Sequence, residues 1–196
     1  MVARICDRAQ LRIPADKQAT GCRAEAAVAE LARCPPAWAH IAFMDGSAIP
    51  NPGPCGAGYT LQLKGDRTHT DTAIPLGYGD NNKGEMGAIK GVGMDALRAL
   101  EEGTMMEGSD LLIFSDSALC IGFLEHGWTF STWLELGHET RAIFKPLRKR
   151  LRVRFYWIRG HAGIPGNELA DKVAKKAAKE AARQLKEGEG HDERPP

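Results

Sequence analysis

Four acidic residues stand where this chain passes from one predicted element to the next: Asp45, Glu85, Asp116 and Asp171. Asp45 ends the apolar run Ile41-Ala42-Phe43-Met44, and Asp116 follows the run Leu111-Leu112-Ile113-Phe114-Ser115. Glu85 and Asp171 each fall near the start of a predicted helix. Apolar strands are buried and acids stay in water, so a carboxylate at a strand tip beside the turn Asn51-Pro52-Gly53-Pro54-Cys55-Gly56 invites a functional reading. One such acid alone reads as a solvated loop residue; the recurrence points to chemistry. If the two apolar strands lie parallel and adjacent, about 4.8 Å apart, Asp45 and Asp116 meet at one edge. Glu85 and Asp171 can then lean over that edge from their helices. Carboxylates this close raise each other's pKa, and divalent cations remove the conflict. Mg2+ prefers carboxylate oxygens and adds waters and substrate phosphate oxygens. Two such ions about 3.5–4 Å apart can activate water and stabilise the leaving oxygen of a phosphodiester. Salt-bridged structural acids are the competing account, and spacing alone leaves both open.

The elements that must position these acids follow from hydrophobic period. Ala39 to Met44 reads as a first strand. Gly58 to Lys64 alternates Tyr59, Leu61 and Leu63 with polar residues, the period of a half-buried strand, and Thr68 to Leu76 reads as a third. Their short connections predict an antiparallel meander. From Asn82, the expected N-cap, Ile89, Val92, Ala96 and Leu100 recur at helical spacing until Gly103. Asp110 to Ser115 is continuously apolar, as a central strand buried on both faces requires. Helices are expected from Ala118 to His126, from Trp133 to about Leu147 with a break at Pro146, and from Asn167 to about Lys186. A strand, Arg152 to Ile158, precedes the last of these. The order βββαβα(α)βα is a mixed α/β arrangement.

Composition bounds the remainder. The chain has 196 residues, 43% hydrophobic and 26% charged, with net charge +1. That suits one domain with a real core, and any nucleic-acid binding must come from local patches. Residues 1–38 read as an extension or linker with a short Ala-rich helix, 39–186 as the domain, and 187–196 as a polar disordered tail. The five cysteines lack C-x-x-C spacing, which argues against a disulfide framework or zinc site and suits an intracellular, cytoplasmic or nuclear, protein. No apolar run approaches the ~18 residues of a membrane span, so no membrane partner is expected.

The blocks Asp45-Gly46-Ser47, Asn81-Asn82-Lys83-Gly84-Glu85, Ser115-Asp116-Ser117 and Gly160-His161-Ala162-Gly163-Ile164-Pro165-Gly166-Asn167-Glu168-Leu169-Ala170-Asp171 together resemble a type 1 ribonuclease H, from about Ala39 to Ala178. The resemblance implies a ribonuclease H-like fold, a five-stranded mixed sheet in the order 3-2-1-4-5 flanked by helices. It implies an endoribonuclease that hydrolyses the RNA strand of RNA/DNA hybrids with two Mg2+ ions, Mn2+ substituting, to leave 5′-phosphate and 3′-hydroxyl ends. Asp45, Glu85, Asp116 and Asp171 would be catalytic and hold metal. His161 would be the mobile catalytic histidine. Its flanking Gly160, Gly163 and Gly166 give a loop that can move, and an imidazole exchanges protons near neutral pH. Gly46, Ser47, Asn51, Asn81, Asn82 and Ser117 would contact substrate. Amide side chains offer the donor and acceptor that suit a 2′-hydroxyl. The other five histidines read as ordinary surface residues. Glu135 and His138, three apart on a helix, lack a second ligand pair.

Two departures stand out. Asp80 occupies a position where the family commonly has a threonine that holds a DNA phosphate, and an acid there would repel phosphate. Between the helices at Ala118 and Trp133, many members carry a basic protrusion; here residues 125–133 hold no lysine or arginine. That reduced form resembles the ribonuclease H domains of retroelement reverse transcriptases, so a fused or associated reverse transcriptase is one expected partner of an otherwise monomeric chain. The basic cluster Lys145, Arg148, Lys149, Arg150, Arg152 and Arg154 is a candidate phosphate contact, with a solvated helix end as its alternative. Two other readings are an inactive tether or nucleic-acid-binding domain of a reverse transcriptase, and a different nuclease of the superfamily such as a resolvase or integrase core.

Overall fold

A computed structural model describes residues 21–66 and 68–189. The N-terminal part of the predicted extension and the last seven residues of the predicted tail lie outside them. The elements run α1 (Gly21–Arg33), β1 (His40–Ala48), β2 (Gly53–Gln62), β3 (Thr70–Gly79), α2 (Asn81–Glu101), β4 (Asp110–Ser115), α3 (Ala118–His126), α4 (Leu134–Arg150), β5 (Arg152–Trp157) and α5 (Pro165–Glu189). The five strands form one sheet in the order β3-β2-β1-β4-β5. The first three pair antiparallel through short turns, and β4 and β5 join parallel through helical crossovers. This is the expected ribonuclease H-like fold.

Alternation along β1 divides the core in two. Ala42 and Met44 pack with Tyr59, Ile89, Leu111, Phe123 and Phe144 beneath α2, α3 and α4. Ile41 and Phe43 pack with Leu112, Phe114 and Tyr156 on the other face, covered by Ala170 of α5 and by Val28, Leu31 and Ala32 of α1. Phe43, Phe114 and Tyr156 stack in series across three strands, with centroids 4.9 and 5.4 Å apart. The Ala-rich helix of the extension therefore contributes to a core of the sheet.

Several boundaries differ from the sequence expectation. β1 continues past Asp45 to Ala48, because Gly46, Ser47 and Ala48 still pair with Ala57, Gly56 and Cys55 of β2. Asp45 thus lies within a strand. The N-cap of α2 is Asp80, two residues ahead of the expected Asn82, with its carboxylate accepting from the Lys83 N–H at 2.9 Å. α4 runs unbroken through Pro146. α5 begins at Pro165, where a missing N–H costs nothing, so Asp171 falls in its second turn. His40 is buried rather than on the surface; its Nδ1 accepts from the Lys64 N–H at 3.0 Å.

Candidate active site

Strand register brings the first two acids together. The parallel pairing of β1 with β4 stops at Phe43 opposite Phe114. Asp45 and Asp116 each come two residues later, where the strands no longer share hydrogen bonds and side chains of both can reach one opening. Glu85 enters from α2, which approaches β1 closely at one point. A Cβ on Gly46 would stand 2.1 Å from the Glu85 nitrogen and one on Gly84 2.8 Å from the Gly46 Cα. Only paired glycines allow that contact, so the Asp-Gly-Ser block sets the depth of Glu85 as well as supplying Asp45.

The result is an acid triad. One carboxylate oxygen from each of Asp45, Glu85 and Asp116 lies within 4.8 Å of the others. Asp45 is buried and the other two are half-buried. Burial first, and the Asp116 carboxylate second, push Asp45 up to about 8, although the Gly46 N–H that donates to it at 2.7 Å works the other way. Burial pushes Glu85 up to about 7, opposed by a hydrogen bond from Ser117 and reinforced by Asp116. Among the described residues no ion pair reaches any of the three. Like charges gathered in a partly dry pocket without a basic partner are unfavourable on their own. A hard cation with oxygen ligands fits them, since it supplies the missing positive charge.

Asp171 stands apart from the triad. Its carboxylate pairs with Lys175 at 2.8 Å, one helical turn on, while its charge still adds to the upward push on Asp45. His161 is exposed, in the left-handed region at φ 52°, on the loop between β5 and α5. The loop begins against the triad: a Cβ on Gly160 would stand 2.5 Å from Oδ2 of Asp116.

Hydrogen bonds and burial fix the remaining expected residues. Asn51 Oδ1 accepts from the Asn81 N–H at 3.2 Å, and Asn81 Oδ1 accepts from the Ala48 N–H at 2.8 Å. These bonds tie the Gly-Pro turn to the start of α2, beside Asn82. Ser47 is buried opposite Gly56. Ser117 caps α3, accepting from the Cys120 N–H at 3.2 Å. Asp80 does not face solvent as a bare repulsive charge, since its carboxylate also accepts from the Trp133 indole at 2.8 Å.

Two supporting residues escaped the sequence reading. The buried Cys120 thiol donates to Glu85 at 3.7 Å, and the Trp157 indole donates to the Asp116 carbonyl at 2.9 Å. Cys120 lies three residues after Ser117 on α3 and so faces the same side, a spacing that could have flagged it. Nothing local connects Trp157 with Asp116; only the β4–β5 register, Ser115 opposite Trp157, does so. The basic cluster is also largely spoken for. Arg148 pairs with Glu125, Arg150 with Glu107 at 3.0 Å, and Arg152 and Arg154 both with Asp110 at 2.8 and 3.5 Å.

Comparison with known proteins bears on this geometry. A model of the RNase H family matches residues 38–179. A ribonuclease H of Oleidesulfovibrio alaskensis is 32% identical over 148 residues, covering 68% of this chain and 86% of that protein. One from Shewanella is 33% identical over 159 residues, covering 76% and 92%. Among solved structures, a ribonuclease H1 isolated from compost superposes with a TM-score of 0.58 at 21% identity, over 74% of this chain and 99% of that one. The same enzyme in complex with an RNA/DNA hybrid gives 0.56 at 20% identity, over 70% and 98%. These last two speak for the fold, whereas the family match and the sequence relatives reach further: the chain belongs to the ribonuclease H family.

Proposed function

We propose that the protein is a type 1 ribonuclease H that hydrolyses the RNA strand of RNA/DNA hybrids, leaving 5′-phosphate and 3′-hydroxyl ends. The observation that carries this reading is the triad: three carboxylates with oxygens within 4.8 Å and no basic partner among the described residues. Asp45, Glu85 and Asp116 would hold two Mg2+ ions, or Mn2+ in their place, with Asp171 closing the site once it leaves Lys175. Bound there, the ions supply an activated water and a counter-charge for the leaving oxygen. The chain itself does the rest. Asn51, Asn81 and Asn82 offer amide groups at the rim to sense a 2′-hydroxyl, with Gly46, Ser47 and Ser117 shaping the floor. His161 exchanges a proton with the departing product from a loop whose first residue abuts Asp116.

The test is cleavage of a labelled hybrid with and without Mg2+, beside duplex DNA of the same sequence. RNA cut only in the hybrid and only with metal supports the reading; cleavage of duplex DNA would replace it with another nuclease of the superfamily. The cation-free connection between α3 and α4 supports kinship with the domains attached to reverse transcriptases.

A further inference from the structure

The exposed face of α5 carries a ridge of cations whose use nothing above explains. At 100° per residue, Lys172, Lys175, Lys176, Lys179, Arg183 and Lys186 fall within an arc of about 100°, and all six are exposed. Lys175 is paired with Asp171, and Arg183 with Glu180 and Glu187. Among the described residues Lys172, Lys176, Lys179 and Lys186 show no ion pair or hydrogen bond through their side chains. The opposite face, Ala170, Ala174, Ala177, Ala178 and Ala181, is buried on the sheet. The helix is thus held firmly and its charges are held outward.

Direction matters as much as charge. Gly58, opposite Asp45 in β2, lies against Ala174; Gly56, opposite Ser47, lies against Ala177 and Ala178. α5 therefore climbs alongside β1 toward the edge that carries the acids and the Asn51 turn. From Lys172 to Lys186 the ridge extends ~21 Å, and its last two cations lie beyond the stretch matched by the family model, which ends at residue 179. Elsewhere positive charge near the site is sparser: in the cluster 145–154 only Lys145 and Lys149 show no acid partner among the described residues. The connection 127–133 has no lysine or arginine, and the four arginines of 148–154 are each paired with an acid.

We infer that the α5 ridge is a phosphate-backbone surface that grips the nucleic-acid duplex running away from the cleavage site. The inference rests on the proposed nuclease reading for its substrate. Unpaired lysines in a row neutralise phosphates without reading bases, so the contact is independent of sequence and releases counterions. It acts only on duplexes long enough to leave the catalytic edge and meet the ridge.

The experiment measures hybrid binding by the Asp116→Asn chain over a series of salt concentrations, with and without Lys172→Gln, Lys176→Gln, Lys179→Gln and Lys186→Gln together. One hybrid covers only the catalytic edge and another is several turns longer. On the long hybrid the four changes should make the salt slope shallower by about 3 units and weaken binding about 10- to 100-fold at low salt. On the short hybrid they should change little. An unaltered slope on the long hybrid overturns the inference, as does an equal loss on both. If the four changes instead abolish binding to phosphatidylserine vesicles while the hybrid slope stays put, the ridge serves a membrane surface and the inference fails. Cleavage by the unmodified chain is followed in parallel: a long hybrid gripped through the ridge but never cut removes the nuclease reading and leaves the surface standing.

Discussion

The two sides of the candidate site are built differently. On one side Asp45, Glu85 and Asp116 rise from paired strands and a buried helix, each steadied by a neighbour: the Gly46 N–H, the Cys120 thiol and the Trp157 indole. On the other, Asp171 is turned to Lys175 on the same helix, and His161 sits exposed in a left-handed backbone conformation. The first side holds its charges together at a cost that a bound cation or a proton relieves. The second holds its groups loosely and can change partners. Rigid placement suits ligands that must present a fixed set of oxygens, and loose placement suits groups that act late or transiently.

That contrast can be broken most sharply at Asp116. Asp116→Asn should abolish turnover at saturating Mg2+, since it removes a ligand from the rigid side. It should also stabilise the metal-free protein at neutral pH, because the Asp116 charge is the second largest cause pushing Asp45 up. Measured turnover close to that of the unmodified chain would dissolve the triad assignment. His161→Ala probes the loose side. A group that only carries protons contributes roughly 10²-fold, so this variant should be slow yet clearly active in a single-turnover assay. A loss as complete as that of Asp116→Asn would mean that His161 is as firmly built into the site as the acids.

Gly160→Ala tests where the two sides touch. Its added Cβ would meet Oδ2 of Asp116 at 2.5 Å, too close for any Cβ contact, so the carboxylate must move aside. Turnover should fall about 10-fold, given that misplacement by 1 Å costs up to about 100-fold. The thermal midpoint should hardly move, because the far end of a side chain can give way. An unchanged rate would show that Asp116 has freedom the rigid side should lack.

The smallest expected effect is a pH dependence. Asp45 and Glu85 are pushed up to about 8 and about 7. A carboxylate whose folded pKa lies above its unfolded value binds more protons when folded, so its contribution to stability is lost as pH rises between the two values. Without metal, stability should therefore decline from about pH 4 to about pH 8, the interval bounded by the ordinary Asp value of 3.8 and the raised one. Mg2+ competes with those protons, so the rise in thermal midpoint that it produces should be larger at pH 8 than at pH 6. A metal shift indifferent to pH would show that Mg2+ binds elsewhere.

The sequence by itself determined which residues could do chemistry and which elements carry them. Asp45 and Asp116 were legible because each follows an apolar run, and Glu85 because it stands near the start of the helical period that carries Ile89 and Val92. The strands and helices were legible because their periods of 2 and 3.6 are local properties. Even the bare connection between α3 and α4 could be read directly. Tertiary structure decided what depends on distance between segments. The register of Phe43 against Phe114 is what sets Asp45 beside Asp116, and no local pattern encodes it. The clearance between Gly46 and Gly84 admits Glu85, and the pairing of Ser115 with Trp157 brings an indole to the Asp116 carbonyl. The same holds for charge. Arg148, Arg150, Arg152 and Arg154 read as a free basic cluster until Glu125, Glu107 and Asp110 arrive from other elements, whereas Lys172, Lys176, Lys179 and Lys186 stay without an acid partner among the described residues because the alanine face of α5 covers the sheet and turns them to solvent.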